Sequence, residues 1–304
     1  MNKLILLQYP SECHHKNKIS VIRGCEKLGI LYKSTDNIQD VYNGNCDILW
    51  LPMTYVSYDK IPKHVKIIYG PQFFVFSDGH EICGTPDLSL IGRCFFNTLS
   101  AWNKNRMEID STYIVPMKSY PFGINTDKFC PHTYNTNKIH DILIYYKFRQ
   151  ESDLNEVVKI IQDLNLSYNI IRYGSYHEND YLSLLRNSKM IVWVGGHESQ
   201  GFALQEALAC NIPILVWSVT SMKQECLYGR YTYINDMTHC MTAETATSFD
   251  ETCGIVCYEL CDIKDNIIRI INNLEEYHPR EFIMNNLQED MCLKRMLNEL
   301  NIQI

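Results

Sequence analysis

The sequence has no apolar run of bilayer length, no cluster of basic residues, no glycine-rich nucleotide loop and no cysteine spacing typical of a disulfide scaffold. Each absence removes a class of function. The opening run Leu4–Leu7 is too short for a signal-peptide core, and no later stretch reaches the roughly 18–20 apolar residues that a bilayer demands. A protein with no transmembrane segment is expected. The formal net charge is −7, without a basic run, so nucleic acid is not expected as a partner and any affinity for phosphate must be local. The thirteen cysteines are an odd number, and Cys25, Cys46, Cys210 and Cys257 sit inside apolar runs. Free buried thiols of a reducing compartment, and hence a cytoplasmic protein, are the expectation.

Other chemistry is excluded by spacing. No G-x-G-x-x-G follows any predicted strand, which argues against an NAD-dependent oxidoreductase. Gly196 and Gly201 have the separation of a P-loop, but Phe202-Ala203 stand where Lys and Ser/Thr are needed. Cys13-His14-His15 are adjacent side chains that do not easily converge on one ion, and no second ligand group stands at zinc-site spacing. Cys253, Cys257 and Cys261 repeat every four residues, but the intervening Gly254-Ile255-Val256 reads as strand. No metal site is expected.

What is present is an ordinary globular composition, 46% hydrophobic and 21% charged over 304 residues, which suits two domains of about 120–150 residues. The most informative stretch is Met190–Trp217, MIVWVGGHESQGFALQEALACNIPILVW. Met190–Val194 is a short apolar run stopped by Gly195-Gly196, which predicts a parallel strand buried on both faces. After the loop His197–Gln200, the run from Gly201 to Cys210 is dense in helix formers, and Asn211 and Pro213 mark its stop. Ile214–Trp217 is strand again. In an open parallel sheet, ligands sit beyond the carboxyl ends of the strands, where a helix start offers backbone N–H groups to an anion. Gly201 lies at that corner.

Glu198 and Glu206 flank it, eight positions apart. Such a pair arises by chance roughly once in a chain of this length, and Glu251/Glu259 and Glu281/Glu289 repeat the spacing without the strand, the Gly-Gly stop or the Gly-started helix. In its full context, HESQGFALQEALACNIPILV resembles the E-x7-E signature of the retaining group 1 glycosyltransferases of GT-B fold. The resemblance implies an α/β protein of two Rossmann-like domains facing across a cleft, with a C-terminal helix crossing back to the N-terminal domain. It implies a nucleotide-diphospho-sugar held mainly by the second domain: Glu206 on the ribose, Glu198 at the transferred sugar, and the backbone around Gln200, Gly201 and Phe202 toward sugar and phosphate. A carboxylate is an acceptor that suits vicinal hydroxyls, whereas a diphosphate needs donors and positive potential.

Along the chain, Leu4–Leu7, Asp47–Leu51 and Val65–Tyr69 are predicted strands, Ile19–Leu28 and Phe95–Met107 helices, and Tyr113–Val115 a last short strand of the first half. The resembling enzymes carry a glycine-rich first loop and a histidine near the third strand. Here Ser11–Lys18 and Gly70-Pro71-Gln72 stand in those places, and His80 reads as a plain loop residue. Tyr120–Phe129 is the expected interdomain segment. Then strand and helix alternate: Ile142–Tyr146, Leu154–Leu164, Tyr168–Tyr173, Asp180–Asn187 and the Met190–Trp217 unit. Lys147 and Arg149 follow the first of these strands, either as contacts to a diphosphate or as solvent-facing charges. Tyr173 and Gly174 end the second, where the resemblance implies that the base is read. Amphipathic helices at Ile263–Glu276 and Arg280–Leu300 close the chain. The expected domains are 1–120, 121–278 and a terminal helical segment, 279–304.

The reading that follows is a metal-independent, cofactor-free glycosyltransferase acting with retention on an unidentified acceptor. The alternative is a protein of the same fold that binds a nucleotide sugar or glycan without turning it over.

Overall fold

The computed structural model describes residues 3–8, 14–54, 56–71, 85–110, 114–131, 138–227, 230–231 and 242–303. The chain forms two compact units, residues 1–123 with 287–304, and residues 124–286.

The first unit is built on β1 (Leu4–Gln8), α1 (His15–Leu28), β2 (Leu31–Thr35), α2 (Ile38–Asn43), β3 (Ile48–Leu51), β4 (Lys66–Tyr69), β5 (Cys94–Thr98), α3 (Ala101–Asp110) and β6 (Met117–Ser119). The six strands are parallel in the order β2-β1-β3-β4-β5-β6. Every residue of β3 and β5 is buried, as strands covered on both faces require. This corrects the helix expected over Phe95–Met107. Phe95 and Phe96 pair between β4 and β6, and the helix starts only at Ala101. Helix α1 starts at His15, four residues before the apolar periodicity suggests, and ends at Gly29, which adopts the left-handed conformation at φ 67°. His15 is therefore in a helix, while Cys13, Gln72, His80 and Tyr113 lie outside the described residues. Ile114 and Val115 are not strand; the last strand is Met117–Ser119.

The second unit contains β7 (His140–Lys147), α4 (Glu151–Asp163), β8 (Tyr168–Arg172), α5 (Glu178–Asn187), β9 (Ser188–Gly195), α6 (Phe202–Ala209), β10 (Ile214–Trp217), a small antiparallel pair of β11 (Cys226–Leu227) and β12 (Arg230–Tyr231), β13 (Gly254–Cys257), α7 (Ile263–Asn272) and α8 (Pro279–Asn286). Its five main strands are parallel in the order β13-β10-β9-β7-β8. Met190–Val194 is fully buried at the sheet centre. Helix α4 covers the sheet with Leu154, Val157 and Ile161, spaced for one face, and carries Glu151 and Asp153 in its first turn, where the helix dipole favours carboxylates.

The strand order places a topological switch between β7 and β9, because β8 follows β7 outward on one side while β10 and β13 build outward on the other. Ligands of such sheets bind at the carboxyl ends of the strands on either side of that switch. The predicted terminal helix over Arg280–Leu300 is two helices, α8 and α9 (Glu289–Glu299), broken at buried Leu287 and extended Gln288. Residues 279–286 fold with the second unit and 287–304 with the first.

Candidate active site

Lys147 ends β7 and pairs in register with Gly195, the last residue of β9. Beyond them the two loops stay joined, since Gly196 N–H donates to the Lys147 carbonyl at 2.8 Å. Two residues later, Glu198 turns back and both of its carboxylate oxygens accept from Lys147 Nζ, each at 2.8 Å. The pair is largely withdrawn from water. A buried carboxylate is tolerated when it is paired in this way, and Lys147 also lies 4.6 Å from the centre of the Tyr173 ring. The switch point thus holds a cation and an anion on one another.

Gly201 follows at φ 82°, a left-handed conformation that favours glycine, and a Cβ there would meet Glu198 Cβ and Cγ at 3.4 Å. Helix α6 starts at the next residue. Gln200 and Gln205 lock the corner: Gln200 Nε2 donates to Gln205 Oε1 at 2.9 Å, and Gln205 Nε2 donates to the Gln200 carbonyl at 3.0 Å. The Gln200 side chain is thus committed within the protein, whereas Phe202 opens the helix half-buried. Glu206 is 4% exposed and Glu198 7%. The same spacing elsewhere gives different environments: Glu251, Glu259 and Glu281 are exposed, and Glu289 is buried in an ion pair of the first unit.

Both site glutamates act on one tyrosine. Burial pushes the Tyr176 hydroxyl up to about 12, and Glu206 and Glu198 add to the shift, against a hydrogen bond to Tyr145 that pulls it down. The two hydroxyls lie 2.9 Å apart. Beneath them Tyr145 stacks on Trp193 with ring centres 3.9 Å apart, giving the site a rigid aromatic floor. Tyr173 is 49% exposed beside Lys147, and Gly174 is left-handed at φ 76° with open space where a Cβ would be.

Arg149 departs from the expectation of a cation beside Lys147. It is buried, its Nε donates to Asp153 Oδ2 at 2.8 Å, and its guanidinium lies 4.2 Å over the Trp217 ring. The physical cause is Phe148, a non-glycine residue at φ 54°, which breaks the strand geometry that would turn residues 147 and 149 the same way. Arg149 ties β7 to β10 instead.

His197 and Glu225 were not singled out by sequence. Glu225 Oε1 accepts from the His197 backbone N–H at 2.6 Å and lies 2.7 Å from His197 Nδ1. His197 adjoins Glu198 and so had a positional signal, but Glu225 had none, because its nearness arises only from the return of the chain after β10. Cys253 and Cys257 are buried in or beside β13 while Cys261 is exposed. Among the described residues no group of three or more His, Cys, Asp or Glu could hold a metal ion.

No protein-family model matches the sequence, and no curated protein matches it. Solved structures do. AviGT4, a glycosyltransferase involved in avilamycin A biosynthesis, superposes with a TM-score of 0.59 at 9% identity, over 98% of this chain and 97% of that one. The chain has the GT-B glycosyltransferase fold. WaaB, a lipopolysaccharide outer core galactosyltransferase, matches over 99% of both chains at TM-score 0.55 and 13% identity. Anabaena HepE in complex with UDP matches over 99% of this chain and 100% of that one at TM-score 0.57 and 8% identity. The GT-B fold accounts for both parallel sheets and for the return of residues 287–304 to the first unit. Among the described residues, no helix is long and apolar enough to cross a membrane.

Proposed function

We propose that the chain is a glycosyltransferase that takes a sugar from a nucleotide-diphospho-sugar, with retention of configuration and without a metal. The observation that carries this reading is the Lys147–Glu198 pair set against the Gly201 helix start at the switch point of a GT-B fold. In this reading Glu206 holds the ribose and Glu198 faces the transferred sugar. Tyr173 and Gly174 border the base, and Lys147 with the backbone of Gln200–Phe202 meets the diphosphate. As the bond from the sugar to the diphosphate breaks, its electron pair moves to the phosphate oxygen, while the acceptor's nucleophilic atom bonds to the same sugar carbon and gives its proton to that departing oxygen. Lys147 and the positive end of α6 stabilise that charge, while Glu198 stabilises the positive charge growing on the sugar. Lys147 passes from Glu198 to the phosphate when donor arrives, which frees the carboxylate for the sugar. Arg149 serves as a brace behind Lys147.

Thermal unfolding in the presence of UDP, GDP, ADP and NAD tests the reading. A ligand that binds only the folded state stabilises it by about 2.7 kcal/mol at a hundred times its dissociation constant. One nucleoside diphosphate should raise the melting temperature equally with and without EDTA, NAD should not, and the matching nucleotide sugar should be turned over. A shift that required Mg²⁺ or Mn²⁺ would remove the metal-free mechanism. A shift with neither hydrolysis nor transfer would leave a sugar-nucleotide binding protein.

A further inference from the structure

The site as described is short of positive charge. Lys147 is neutralised by Glu198 and Arg149 is committed to Asp153, while Glu206 and Glu198 are both buried nearby. A diphosphate entering here needs another donor. A further potentially cationic side chain stands on the β9 loop at His197, next in sequence to Glu198.

We infer that His197, held from behind by Glu225, is a phosphate-contacting residue of this site, with Glu225 as its positioning residue. The inference rests on the nucleotide-sugar reading above. Glu225 is 1% exposed and His197 25%, so the carboxylate is the inner member of the pair and the imidazole the outer one. One carboxylate oxygen takes both the backbone N–H and the Nδ1 side of His197, which fixes the ring and the loop at once. Gly196 allows this, because a Cβ there would stand 3.0 Å from Glu225 Cδ. The next residue ties the arrangement to the other loop, since Cys226 N–H donates to the Phe148 carbonyl at 2.8 Å. Residues 225–226 therefore brace the loops that carry Lys147 and Glu198. A carboxylate behind an imidazole fixes which ring nitrogen donates and orients the ring, as it does for histidines that bind metals. With Nδ1–H given to Glu225, the outward Nε2 donates to a phosphate when the ring carries both protons.

Glu225 lies behind the ring, Glu198 and Lys147 lie in the adjoining pair, and Glu244 accepts from Glu198 N–H through its carbonyl at 2.9 Å while burial pushes its own carboxyl up. The test therefore holds pH fixed. Calorimetric dissociation constants for UDP, inorganic pyrophosphate and uridine are measured on the full chain, His197→Gln and Glu225→Gln, as ratios to wild type. His197→Gln should weaken UDP and pyrophosphate about tenfold, the worth of a charge-assisted hydrogen bond, and leave uridine unchanged. Glu225→Gln should weaken the same two ligands in the same direction, with thermal unfolding reporting that each variant is folded. A His197→Gln ratio of one for pyrophosphate and UDP, or an equal loss for uridine, overturns the inference and leaves the nucleotide reading standing. Pyrophosphate binding with the expected ratios but no UDP binding keeps the inference and removes the nucleotide reading. If neither UDP nor pyrophosphate binds the wild type, both fail.

Discussion

Glu198 is tied to a cation, whereas Glu206 lies on a helix face close enough to Tyr176 to act on its hydroxyl, so replacing each should have a different effect. In the proposed reading, Glu206→Gln keeps an acceptor but loses charge-assisted bonds to the ribose. It should weaken a nucleoside diphosphate about tenfold, read by calorimetry. Glu198→Gln releases Lys147, so nucleoside diphosphate should bind as well as in the wild type or better. Turnover of the nucleotide sugar should nevertheless fall on the order of a hundredfold or more, because in the proposed reading the interaction lost is one that strengthens in the transition state. Glu251→Gln has the same spacing to its partner but an exposed side chain, and should change neither. Equal behaviour of the 198 and 251 variants would show that spacing, not chemistry, had singled out Glu198. The difference among these glutamates was partly visible in sequence, in the Ala, Leu and Cys residues around Glu206. The fate of Arg149 was not, because it depends on one left-handed residue, Phe148, which carries no glycine or asparagine signature.

At the scale of elements, the corner between β9 and α6 depends on Gly201. Its φ of 82° makes any side chain costly, so Gly201→Ala should lower stability by about 1 kcal/mol. Gly201→Val should cost more and displace Glu198, whose Cβ and Cγ lie 3.4 Å from the new atom. Urea denaturation measures the first effect, and loss of nucleotide affinity beyond that of the alanine variant measures the second. In the first unit, α9 is fixed by Glu289, a buried carboxylate 2.6 Å from Arg23 Nε and 3.0 Å from Lys27 Nζ on α1. Its Oε2 has the Lys27 charge nearby but no well-aligned hydrogen bond. The cations are partly exposed and can turn to water, whereas the carboxylate cannot. Replacing both Arg23 and Lys27 with Met should therefore cost about 3 kcal/mol or more, whereas Glu289→Leu should cost far less. Denaturation midpoints for the two variants that came out in the reverse order would refute the asymmetry. The sequence placed a helix here but not its break, because Leu287 and Gln288 are not helix breakers. The interruption comes from burial of Leu287 and the extended Gln288 that starts α9.

Across the whole molecule the thiols set the response to alkali. Burial pushes Cys25, Cys94, Cys210, Cys253 and Cys292 up to about 12, and Cys46 and Cys257 to about 11. Their folded values lie above the unfolded one, near 8.5. The stability this difference represents is fully present below the unfolded value and is lost as pH rises through the folded ones. Lys138, lowered to about 8 by burial, works in the opposite sense but is one group against seven. The urea midpoint under reducing conditions should hold between about pH 7 and 8 and then decline steadily from about 8.5. A midpoint unchanged to about pH 10.5 would mean that these thiols are not withdrawn from water. By itself the sequence determined the βα alternation of the second half, the buried central strand, the helix start at Gly201 and the pair of glutamates around it, because periodicity and chain punctuation are local. Three things were decided by tertiary structure: that Lys147 closes on Glu198 and Arg149 does not join it, that Phe95 and Phe96 form strand and not helix, and that Glu225 returns to hold His197. Each depends on which strands become neighbours. Strand order comes from burying both faces of a sheet at once, and no single segment encodes that requirement.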